Sequence, residues 1–92
     1  MGDAFKALSD PTRRKILELL QEQSLNAGEI AEQFHMTKPS ISHHLTILKH
    51  SGLIVDERQG QNIVYSLDMS VFQEMMKWFM NFTKVGDNEN EK

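Results

Sequence analysis

Apolar residues recur along this chain at two spacings. Ala4, Phe5, Ala7 and Leu8 form a short stripe, and Ile16, Leu17, Leu19 and Leu20 form a longer one. Ile30, Ala31 and Phe34 follow, and then Ile41, Leu45 and Leu48. Steps of three and four residues predict amphipathic helices over about 3–8, from Pro11 through the set ending at Leu20, over about 27–34, and between Thr37 and Gly52. Beyond Gly52 the period falls to two: Ile63, Tyr65 and Leu67 alternate with Asn62, Val64 and Ser66. With the β-favouring run 53–58 and the turn Gln59-Gly60-Gln61, that predicts a two-stranded hairpin. Helical spacing returns at Asp68 and lasts to about residue 85.

The helix ends are marked by residue type. Asp10-Pro11 restarts the chain with an N-cap and a proline in the first turn. Asn26 and Glu29 have the spacing of a capping box. His35-Met36 is a short connection into Thr37, a hydroxyl N-cap, so two helices meet across about three residues, the helix-turn-helix spacing. Pro39 sits in the first turn of the second helix, where a missing N–H costs nothing, and Gly52 can take the left-handed conformation that ends it.

That second helix presents two chemistries. Successive side chains lie 100° apart, which puts Ile41, His44, Leu45 and Leu48 on one side and Pro39, Ser42, His43, Thr46 and His50 on the other. No acidic residue occurs between Glu32 and Asp56, in a chain of net charge -3. Inside this window stand Lys38, Lys49, the three helix histidines His43, His44 and His50, and the hydroxyls of Ser40, Ser42 and Thr46, groups that reach phosphates and base edges. An acid-free outer face suits an anionic partner. The overall acidity argues against a sequence-blind nucleic-acid coat, though not against a DNA reader with one basic face. His44 points inward and needs a hydrogen-bond partner there. Arg13, Arg14 and Lys15 form either a solvated basic face or a support for phosphates or a salt bridge. Arg58 and Gln61 flank the hairpin tip, which either lies along a DNA strand or is a solvated turn.

Ser42 and His43 are not a catalytic pair, since neighbours on a helix diverge and no carboxylate in the window orients a base. No glycine-rich phosphate loop is present, so the chain is not expected to be an enzyme. The absence of cysteine fits a reducing compartment. The first residues lack a basic and apolar leader pattern, and a cytoplasmic protein is the expectation.

The last helix is too apolar for a chain of this size. Val71, Phe72, Met75, Met76, Trp78, Phe79, Met80 and Phe82 cover more than half of its circumference, whereas a helix lying on a monomer needs only a stripe. One side belongs to the core; the other is assigned to a second subunit. Phe5, Leu8, Phe72, Met75, Met76, Trp78, Phe79 and Phe82 are the expected dimer residues. The chain divides into one domain, 1–85, and a polar disordered tail, 86–92.

These features together carry a resemblance. Ser9-Asp10-Pro11-Thr12-Arg13-Arg14, Ala31, Ser42-His43-His44-Leu45 with Leu48, Gly52-Leu53-Ile54 and a following hairpin resemble the ArsR family of winged helix-turn-helix repressors. The run Lys38-Pro39-Ser40-Ile41-Ser42-His43-His44 and the aromatic last helix are similar to its sporulation-delaying operon autorepressor branch, which lacks metal ligands. The resemblance implies a mainly α (α+β) winged helix-turn-helix of about five helices with a two-stranded wing, a homodimer through its first and last helices. It implies a repressor of a pseudo-palindromic double-stranded DNA operator, with half-sites about one helical turn, ~34 Å, apart. The DNA contacts it implies, taken with the outward face, fall on Thr37, Lys38, Pro39, Ser40, Ser42, His43, Thr46, Arg58 and Gln61.

Many members of the family sense metals through thiolates before the reading helix or through carboxylates and histidines on the last helix. Neither set stands here, so no metal and no cofactor are expected. The narrower resemblance implies autoregulation and sequestration by a protein partner, a membrane protein being one candidate. The alternative is a winged-helix protein-interaction module that does not bind DNA.

Overall fold

The computed structural model describes residues 2–90, with side chains as far as residue 83. In chain order the elements are α1 (Gly2–Ala7), α2 (Pro11–Glu22), β1 (Leu25–Asn26), α3 (Ala27–Phe34), α4 (Lys38–His50), β2 (Ile54–Gln59), β3 (Asn62–Leu67) and α5 (Met69–Asn90). Helix starts fall where the caps stand. Asp10 accepts the Arg13 N–H at 3.0 Å, and Asn26 and Glu29 close a reciprocal capping box at 2.8 and 2.9 Å. Thr37 Oγ1 accepts the Ser40 N–H at 3.3 Å.

Two helix ends use the same closing geometry with different residues. After α4, Leu53 N donates to Leu48 O and Gly52 N to Lys49 O, with Gly52 at φ +84°. After α3, Met36 N donates to Ala31 O and His35 N to Glu32 O, with His35 at φ 54°. Both are left-handed helix stops; the first uses a glycine, the second bends a residue with a side chain. At Gly52 glycine is required twice over, because a Cβ there would lie 2.7 Å from Val71 Cγ2.

The wing closes on a two-residue turn in which Gly60 has φ +65°, as hairpins of this length demand. Its strands pair from Ile54↔Leu67 to Gln59↔Asn62. The sheet is one strand wider than the expected two-stranded wing: Leu25 and Asn26 pair with Tyr65 and Val64, giving the order β1-β3-β2. A strand of two residues is too short to leave a period of two in the sequence. It seats Leu25 in the core and leads directly into the α3 cap.

The core is built by one face of each element: Ala4 and Ala7, Ile16, Leu17 and Leu20, Ile30 and Ala31, Ile41, Leu45 and Leu48, then Leu25, Leu53, Ile54 and Met75. The buried set on α4 is the expected one, apart from His44, which is half-buried. Met75, expected at a dimer interface, is instead only 4% exposed. The correction follows from its place in α5 beside Val71 and Phe72, where this helix still lies on its own chain. Beyond that point Met76, Trp78, Phe79, Met80 and Phe82 are exposed, Phe82 at 65%. Residues 86–90, expected in a tail, continue α5 without a proline to stop it, and residues 91–92 lie outside the described residues.

Candidate nucleic-acid interface

Helices α3 and α4 join through His35 and Met36 into the expected helix-turn-helix, and α4 turns its polar side outward. Thr37, Lys38, Pro39, His43 and Thr46 are exposed, while Ser40 and Ser42 are half-buried. Two hydroxyls are already engaged: Thr37 caps the helix, and Thr46 Oγ1 donates to Ser42 O at 3.0 Å. Lys38, His43, His50 and the Ser42 hydroxyl are outward polar groups not committed in this way.

The wing brings a second set alongside. Lys38 and Ser42 line a cleft of about 510 Å³ together with Gln61, Asn62, Ile63 and Tyr65 of the wing and Asn26, Ala27 and Gly28 at the start of α3. No carboxylate lines it. Gln61 therefore stands beside the α4 residues it was grouped with. Arg58 is exposed and lies opposite Ile63 in the strand register, hence on the same face of the hairpin, but does not line the cleft. Asn62 and Ile63 were not anticipated. Their signal was present in the alternation of β3, where Ile63 has the inward parity but sits too near the tip to reach the core and remains 41% exposed.

Lys49 does not share this freedom. Its Nζ donates to Asp56 Oδ2 at 2.8 Å across the α4–β2 junction. The acid-free window is closed in space by the first carboxylate beyond it. The hydrogen bond raises the Lys49 pKa above its ordinary value, and the same bond lowers that of Asp56.

Behind α4 the basic cluster of α2 divides: Lys15 is solvent-exposed, while the two arginines turn back onto the end of α1. Arg14 Nη1 donates to Leu8 O at 2.6 Å, and Arg13 Nε donates to Ala7 O at 2.8 Å. These carbonyls end α1 and have no partner within so short a helix, so the arginines cap it. Arg13 Nη1 also lies 3.3 Å from His44 Nδ1, the partner the inward histidine required. Because a guanidinium only donates, Nδ1 is the acceptor and the neutral ring carries its proton on Nε2. Asp10 Oδ2 is 4.0 Å from the same nitrogen. The Arg13 N–H that Asp10 accepts is the main cause of a pKa below the ordinary carboxylate value.

At the opposite end Phe5 of α1 meets Trp78 and Phe79 edge-on, with ring centroids 5.5 and 6.0 Å apart, and Trp78 meets Phe82 at 5.0 Å. Phe5, Leu8 and Phe72 are half-buried against the core. Among the described residues no group of three or more potential ligands is placed to hold a metal ion, and no helix is long and apolar enough to cross a membrane.

Residues 10–55 match the family of bacterial regulatory proteins described as the arsR family. The transcriptional repressor SdpR of Bacillus subtilis (strain 168) is 55% identical over 97% of this chain and 99% of its own length. The narrower resemblance read from the 38–44 run thus holds. Among solved structures, the crystal structure of an ArsR family transcriptional regulator is similar at TM-score 0.85 and 29% identity, covering 94% of each chain. The homodimeric winged helix-turn-helix DNA-binding domain of a Mycobacterium bovis protein is similar at TM-score 0.72 and 27% identity, covering 94% of this chain and 77% of that one. These relatives are transcriptional regulators.

Proposed function

This chain belongs to the ArsR family of bacterial regulatory proteins, and on that premise we propose that it represses transcription as a homodimer bound to a pseudo-palindromic operator upstream of its own gene. The observation that carries the reading is the cleft where Lys38 and Ser42 of α4 face Gln61 of the wing without a carboxylate among the lining residues. A major groove admits a helix, and the cleft is the place for the strand beside it. Lys38 and Arg58 meet phosphates, Ser42 and His43 meet base edges, and Thr37, Pro39, Ser40, Thr46 and Gln61 fit around the same strand.

Dimerisation follows from the α1–α5 end. Phe5, Leu8, Phe72, Met76, Trp78, Phe79 and Phe82 offer apolar surface that a second copy buries, each large side chain contributing roughly 1.5–3 kcal/mol when fully covered. A two-fold pair of reading helices then matches a two-fold operator, with half-sites about one turn apart. Regulation is metal-independent in this reading, since the chain has no cysteine and no histidine in α5. Release comes from a sequestering protein partner. The protein works in the cytoplasm, where its DNA is.

The test is a paired substitution. Ser42→Ala with His43→Ala is expected to reduce binding to the operator to the level of unrelated DNA while the dimer keeps its mass. Unchanged selectivity would contradict the assignment and favour a protein-interaction role for this face.

A further inference from the structure

The structure assigns Arg13 as a positioning residue that fixes the reading helix α4 against α1. This rests on the reading of α4 as the DNA-contacting helix. One guanidinium spans three elements: it is carried by α2, donates through Nε to Ala7 O and through Nη2 to Lys6 O of α1 at 2.8 and 3.4 Å, and lies through Nη1 3.3 Å from His44 Nδ1 of α4. A planar fork with fixed donor directions sets the distance between the groups it joins; a lysine's point charge does not. One residue before Lys6, Phe5 of α1 meets Trp78 and Phe79 edge-on. His44 is the immediate neighbour of His43, with ring centroids 5.9 Å apart. A continuous set of contacts therefore runs from the aromatic α1–α5 end to the outward face of α4, and Arg13 is its joint.

Arg14 supplies the internal control. It also ends α1, through Leu8 O at 2.6 Å, but makes no hydrogen bond to α4. Loss of α1 capping is common to both arginines; loss of the link to α4 is peculiar to Arg13.

The experiment compares Arg13→Gln, Arg14→Gln, His44→Leu and His44→Asn in the full-length dimer, by amide hydrogen exchange and by affinity for the upstream DNA fragment. Arg13→Gln is expected to speed exchange in both α1 and the first half of α4 and to weaken DNA binding about tenfold, the scale of one charge-assisted hydrogen bond. Arg14→Gln is expected to affect α1 alone and to leave DNA affinity as it was. His44→Leu should match Arg13→Gln on DNA, His44→Asn, which keeps an acceptor near the Nδ1 position, should restore binding, and the double variant Arg13→Gln/His44→Leu should be no worse than either single one. Exchange confined to α1 in Arg13→Gln, equal DNA effects of the two arginines, or penalties that multiply in the double variant would each overturn the assignment. The exchange measurement needs no DNA. A wild-type protein that binds the fragment no better than scrambled DNA would refute the function proposed above, while exchange still decides whether Arg13 holds α4.

Discussion

The α4–wing face and the α1–α5 face both leave side chains in solvent, yet their chemistry is opposite. On the first, Lys38, Ser42 and Gln61 offer hydrogen bonds around a cleft without a carboxylate, and His43 is exposed on α4 beside them. On the second, Met76, Trp78, Phe79, Met80 and Phe82 offer apolar area and almost nothing to bond. Polar exposure is inexpensive in water, so the first face can stand open until a ligand arrives; apolar exposure on this scale is costly, which favours a covering partner on the second. In the proposed repressor the difference separates an interface that DNA visits from one that a second copy covers.

Removing apolar complementarity from the second face is the largest way to break that contrast. Phe82→Glu is expected to convert the dimer to a folded monomer in sedimentation, because Phe82 contributes little to its own chain's core. Its DNA affinity should then fall by orders of magnitude, since one reading helix cannot span two half-sites. A variant that remained dimeric would move the interface elsewhere.

Gly52 lies where the two regions touch, between the end of α4 and Val71 of α5. Gly52→Ala combines a left-handed backbone with a Cβ 2.7 Å from Val71 Cγ2. A loss of about 2–3 kcal/mol in chemical unfolding is expected. A loss below ~1 kcal/mol would mean that α5 can move aside.

Asp10 tests the start of α2, which carries Arg13, more gently. Asp10→Ala should cost about 1 kcal/mol at neutral pH, the usual worth of an N-cap. The native carboxyl has a pKa below its ordinary value of 3.8, so its contribution is full above that value and fades as pH falls through the folded one. Unfolding titrations of wild type and variant should therefore converge in acid. The smallest effect is expected at the helix-turn-helix corner, where His35 holds φ 54°. His35→Gly should stabilise by about 0.5–1 kcal/mol and leave the dimer unchanged; destabilisation would show that the imidazole makes a contact worth more than the strain.

What could be read directly from the residues was whatever is local. Thr37, Pro39 and Gly52 mark α4 because caps and left-handed stops act within a turn, and Ser42 and His43 fall on its outer side by periodicity alone. What could not be read depends on partners distant in sequence. Arg13 and Arg14 looked like a solvated charge cluster because the carbonyls they cap belong to another helix. Lys49 looked available because Asp56 lies seven residues away, across a strand junction. Met75 has the same apolar character as Met76, and only the packing of α5 shows that the first is core and the second is surface. The cleft itself required the wing's position, which brought Asn62 and Ile63 to a site that composition did not reveal.

The most direct test of the account is a binding titration of the purified protein on the DNA immediately upstream of its own gene, beside a scrambled fragment of equal length, at about 0.15 M salt. Selective binding with two chains per site is the predicted result. Equal, weak binding to both fragments, or one chain per site, would contradict a dimeric autorepressor.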